Sequence, residues 1–109
     1  MIHVYIKRNV NAEICAFKVE NHGDAIVCAS VSILVINTVN CIEVFIGEEM
    51  LCFADQEKGI IDCIFPQLKK NKHNHDVNLL LNTMLYGLSN ISVEYDNEIC
   101  IFDEEVSAC

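Results

Sequence analysis

Asn21-His22-Gly23-Asp24-Ala25-Ile26-Val27-Cys28-Ala29-Ser30-Val31-Ser32 is the stretch on which the reading of this chain turns. Its first four residues are polar or turn-forming. From Ala25 to about Phe45 the chain is predominantly apolar, too long for one strand, and reads as a helix. Asp24 stands where an N-cap belongs, since its carboxylate can accept from unpaired amides of the first turn. Gly47 is a natural stop. The first half of the helix is apolar on nearly every side, which predicts deep burial.

Before this stretch, Ile2, Val4 and Ile6 alternate with His3, Tyr5 and Lys7, the period of a half-buried strand. Asn9 to Glu13 reads as a turn, and Ile14 to Val19 as a second strand with Cys15, Phe17 and Val19 on one face. After it come strands at Met50 to Ala54 and Ile60 to Phe65, joined by the turn Asp55 to Gly59. Pro66 ends the second of these, and Gln67 to His75 reads as a polar, mobile loop. Asn74 or Asp76 can cap a second helix over Asp76 to Val93, with Leu80, Met84, Leu88 and Ile91 as its apolar stripe. Glu98 to Phe102 makes a last strand, and Asp103 to Cys109 an acidic, frayed tail. The order is ββαββαβ without repeat or linker, one domain over residues 1–109. It predicts an α+β fold of two layers, two helices on one face of a mostly antiparallel sheet. The uncovered sheet face favours a dimer.

Hydrophobic residues make up 52% of the 109, enough for one core. The formal net charge is −9, from 7 basic and 16 acidic residues. A nucleic-acid backbone repels such a surface, so direct nucleic-acid binding is not expected, whereas a basic partner is attracted. The same charges also serve as a plain solvated surface. Seven cysteines, an odd number without a CxxC pair, sit mostly inside apolar runs. They read as reduced, small core hydrophobes of a cytoplasmic protein. Strand-like alternation from Ile2 leaves no room for a secretory signal. The apolar run Ala25 to Ile36 is shorter than the ~20 residues that cross a bilayer, so no membrane span is expected.

The chemistry sits at Cys28. A thiol becomes a strong nucleophile when a base is near and the local potential is positive. With Asp24 as cap, Cys28 ends the first helical turn, close to the partial positive charge of the helix start. His22, six residues earlier, can fold back as the base. Ser32, four residues on, shares the helix face of Cys28 and can donate to the thiolate or to substrate. Asp24 either orients His22 or simply caps the helix. The plainer alternative makes Cys28 one more buried thiol, like Cys41. Elsewhere, His73 and His75 could pair on a metal, but no carboxylate or cysteine completes a site, so neither metal nor cofactor is expected. Gly47 and Gly59 are lone turn glycines. The acids Glu94, Asp96, Glu98, Asp103, Glu104 and Glu105 either grip a basic substrate or protect a sheet edge.

Phe17 to His22 followed by Gly23 to Ser32 resembles the ribosomal-processing cysteine protease (Prp) family, which carries a Gly-His-Ala loop and then Asp-Ile-Val-Cys-Ala-Ala-Val-Ser opening a helix. The resemblance continues at Asn78 to Leu85 and Glu94 to Ile99, in the same element order. It implies a homodimeric cytoplasmic endopeptidase whose substrate is the N-terminal extension of bacterial large-subunit ribosomal protein twenty-seven. By position, Cys28 is then the nucleophile, His22 the general base, and Ser32 the family serine. The loop between His22 and Cys28 is shorter than the family's. Asn21 stands for Gly, Gly23 for Ala, and Ala25 for an acidic residue. These differences leave a second reading open, a noncatalytic protein of the same fold that binds a basic ribosomal partner. A redox-sensing thiol is a third.

Overall fold

Alternation in the first strand carries straight into the architecture. In a computed structural model, which describes residues 1–104 and the backbone of residues 107–108, β1 (Ile2–Arg8) buries Ile2, Val4 and Ile6 and turns His3, Tyr5 and Lys7 to the other face. It pairs antiparallel with β2 (Ile14–Glu20), from His3 opposite Glu20 to Arg8 opposite Ile14. The helix α1 (Ala25–Cys41) continues through a π-helical turn (Ile42–Ile46) to Gly47, whose φ of 78° closes it. Then follow β3 (Leu51–Asp55), β4 (Ile60–Ile64), the short α2 (Pro66–Lys69), α3 (His75–Glu94), β5 (Ile99–Asp103) and β6 (Ser107–Ala108). The sheet order is β3-β4-β2-β1-β5-β6. Among the described residues only β1 and β5 run parallel, with Ile2 opposite Ile99, and the other pairs are antiparallel.

The expected α+β fold holds, with its two long helices packed on the sheet. Val27, Val31 and Val35, one helical turn apart, meet Leu81, Met84 and Leu88 of α3 over the strand residues Val4, Phe17 and Ile101. Asn78 is buried between α3 and β2. Its amide oxygen accepts from the Ile14 amide at 3.1 Å and its nitrogen donates to the Ile14 carbonyl at 3.2 Å, so no polar group is orphaned there. Arg8 grips Asp103 through two bonds of 2.9 and 2.8 Å and ties the end of β1 to β5.

Four expectations change. Residues 66–69 form a helical turn instead of opening a mobile loop, because Pro66 is preorganised for a first helical position and Leu68 is buried. The tail is not wholly frayed: Ser107 and Ala108 pair with Phe102 and Ile101, while Glu105, Val106 and Cys109 lie outside the described residues. Cys52 is exposed rather than core, and is joined by a disulfide to Cys63, directly opposite it on β4 with Cα atoms 4.3 Å apart. The continuous helix Ala25–Ile46, extended by its π turn, is long and apolar enough by length and composition to cross a membrane, unlike the shorter run read from sequence. Here one stripe of that helix, Val27, Val31, Val35 and Ile42, is in the core while Ile26, Ile33 and Ile36 are exposed, so the deep burial expected on nearly every side is not found.

Candidate active site

The loop from β2 into α1 is shaped by its backbone. Asn21 has a left-handed φ of 72°. Gly and Asn enter that region more readily than other residues, which accounts for Asn21 where the resembling family carries Gly. Asp24 is the cap of α1: its carboxylate accepts from the Ile26 amide at 3.0 Å and the Val27 amide at 3.4 Å. Its carbonyl accepts from the Cys28 amide at 2.8 Å. Of the two roles open to Asp24, the geometry is that of the cap.

This cap also occupies the helix-start amides, which are then not free to face a reacting carbonyl. The amides of Ile26, Val27 and Cys28 already have partners on Asp24. The amide aimed at the Cys28 sulfur is that of Gly23, which donates to Sγ at 3.2 Å, while the thiol faces the Gly23 carbonyl at 3.6 Å. Glu98, just before β5, holds the loop from outside by accepting from the Asp24 amide at 2.8 Å. A Cβ on residue 23 would stand 2.9 Å from that carboxylate, whose flexible end would have to shift to admit it.

Cys28 is half-buried and His22 exposed, and both open onto one cleft of about 530 Å³. One wall is the face of α1 bearing Cys28, Ser32, Ile36 and Val39. The other is the β3–β4 hairpin, with Phe53, Ile60 and Ile61. A cleft of this size, mostly apolar with a few convergent polar groups, has the form of a binding site. His22 and Cys28 share it without a hydrogen bond between them among the described residues. The His22 ring is engaged instead by the hairpin, its Nε2 lying 3.0 Å from the Glu57 carbonyl. Ser32 is on the same wall as Cys28, one helical turn further.

Among the described residues the free thiols are Cys15, Cys28 and Cys41. Cys15 is buried, and burial pushes its thiol up, with the Glu104 charge adding to the effect. His73 pairs with Glu13 and His75 with Asp76. Three of the acids weighed as a substrate grip are spent inside the fold: Glu98 on Asp24, Asp103 on Arg8, and Glu104 on the Arg8 amide. Sequence reasoning missed the bracing role of Glu98, the Gly23 amide and the Glu57 carbonyl. Two of these are backbone groups with no signature in the side-chain alphabet.

The chain is similar to known proteins over most of its length. The family described as Cysteine protease Prp matches residues 1–100. The ribosomal processing cysteine protease Prp of Bacillus subtilis is 27% identical over 105 residues, covering 91% of this chain and 94% of the relative. The ribosomal processing protease Prp of S. aureus, solved with a covalently linked product peptide, superposes with a TM-score of 0.87 at 27% identity over 95% of this chain and all of that one. The same S. aureus protease with a substrate peptide gives 0.84 at 26% identity, over 95% of this chain and all of that one. These relatives favour the protease over the noncatalytic binder. The chain belongs to the cysteine protease Prp family.

Proposed function

We propose that this protease removes the N-terminal extension of bacterial large-subunit ribosomal protein twenty-seven, with Cys28 as nucleophile and His22 as general base. The observation that carries the reading is that Cys28, at the start of α1, and His22 open onto one cleft in a chain that aligns with peptide-bound relatives over nearly its full length. The reaction requires the His22 imidazole to come within hydrogen-bond reach of the sulfur. His22 then takes the Sγ proton, and the sulfur attacks the scissile carbonyl carbon. The Gly23 N–H, already directed at Sγ, supports negative charge there. Collapse of the tetrahedral adduct expels the amine, which takes its proton from the imidazolium. Water, deprotonated by His22, then cleaves the thioester and restores the thiol. Ser32 lines the cleft beside the bound peptide, and Asp24 keeps the helix start in place.

The formal charge of −9 suits a basic ribosomal substrate. Within this reading the protein works in the cytoplasm, as a homodimer. The homodimer rests on the sheet face opposite the helices, where Tyr5 stacks on Phe102 with ring centroids 5.1 Å apart and His3 sits edge-on.

The test is cleavage of a peptide spanning that N-terminal extension. The wild type cuts it at one bond, and both Cys28→Ala and His22→Ala abolish cleavage. Tight binding without cleavage by the wild type would instead mark a binding module.

A further inference from the structure

The turn between β3 and β4 approaches the His22 loop more closely than any side chain on it would permit. Gly59 has a φ of +63°, and a Cβ built there would stand 2.7 Å from the Asn21 carbonyl oxygen, 3.0 Å from its carbon and 3.0 Å from Cε1 of His22. The first two of these are backbone atoms, which cannot swing aside. The turn is itself braced, since the Asp55 carboxylate accepts from the amides of Glu57 at 3.1 Å and Lys58 at 3.3 Å. The close approach sets the Glu57 carbonyl 3.0 Å from Nε2 of His22. A carbonyl can only accept, so Nε2 carries the proton of the neutral ring, and the Nδ1 lone pair is left free to act as a base.

We propose that the β3–β4 turn is the positioning element for His22. Gly59 permits the contact, and the Glu57 carbonyl takes the part that an acidic side chain plays in a catalytic triad. It selects the tautomer and supports the imidazolium once Nδ1 has taken the Cys28 proton, the Nε2–H bond to Glu57 staying intact throughout. The inference rests on the reading of His22 as the base for Cys28. It also explains why no side chain of the loop is needed to orient the ring, with Asp24 committed to the helix.

The experiment compares Gly59→Ala with Gly47→Ala. Gly47 has φ +78° and nothing within 4 Å of its Cβ position, so alanine there imposes the same left-handed strain without the clash. Both variants should lose stability to the left-handed strain, and Gly59→Ala somewhat more because of its backbone clash. Only Gly59→Ala should lose kcat, by about a hundredfold with KM nearly unchanged, as expected for a misplacement on the ångström scale. Nitrogen-15 NMR of the His22 ring in the wild type should report the Nε2–H tautomer, a readout that needs no variant to fold. An Nδ1–H tautomer, or Gly59→Ala cleaving within threefold of Gly47→Ala, would overturn the proposal. A His22→Ala control that still cleaves would sink the base assignment itself, whereas one that is dead beside an active Gly59→Ala would sink the turn alone.

Discussion

Replacing Asp24 separates a helix cap from a catalytic carboxylate. The carboxylate makes one good bond, 3.0 Å to the Ile26 amide, and one long one, 3.4 Å to the Val27 amide. Loss of such a cap costs typically about 1 kcal/mol. Removing a negative charge from an exposed helix start adds about 0.3 kcal/mol, the low end for surface sites. With an unfolding entropy of roughly 2.1 cal/mol/K per residue, 109 residues give about 4 °C per kcal/mol. Asp24→Ala is therefore expected to lower Tm by about 5 °C, and Asp24→Asn, which still caps, by about 1–2 °C. Calorimetry and urea titration measure both. Peptide cleavage supplies the decisive arm. A cap that touches neither His22 nor the sulfur should leave Asp24→Asn within about threefold of wild-type kcat, far from the ~10⁴-fold loss that follows when a triad carboxylate becomes an amide. A thousandfold loss in Asp24→Asn with an unchanged Tm would refute this reasoning, because it would place the carboxylate on the histidine.

Iodoacetamide labelling of the native protein, read by mass spectrometry, should modify Cys28 well before Cys15, which is buried and whose thiol is pushed up by that burial; equal rates would contradict the site. Leu81→Ala, at a fully buried position, is expected to cost about 2–5 kcal/mol in urea unfolding, whereas Leu79→Ala, exposed on the same helix, should stay within about 0.5 kcal/mol. Glu20 is held below the usual carboxylate range by its bond to Lys18 and by the Tyr5 hydroxyl. A lowered folded-state value stabilises at pH above the unfolded carboxylate value and fades as pH falls through the folded one. Glu20→Gln should thus be less stable than wild type at pH 7 and equal to it at the acid end of the titration, as read by denaturant melts; a gap that widened in acid would reverse the sign.

Much of this architecture was legible residue by residue. Alternation marked β1, a long apolar run marked α1, Asp24 and Gly47 marked its ends, and Cys28 followed at the close of the first turn. Each of these signals is local, because helix caps and strand periodicity are satisfied within a few residues of where they are written. The parallel pairing of β1 with β5 is not local, since it depends on where α3 returns the chain. Nor is the contact that engages His22. It joins Asn21 and Gly59, whose types permit left-handed backbones but name no partner, through a carbonyl that has no side-chain signature, and it exists only because β4 pairs with β2 and carries the hairpin turn to the loop. The residues proposed to supply the chemistry were named from their types, their spacing and a family resemblance, whereas the group proposed to orient the histidine is a backbone atom brought in by distant pairing.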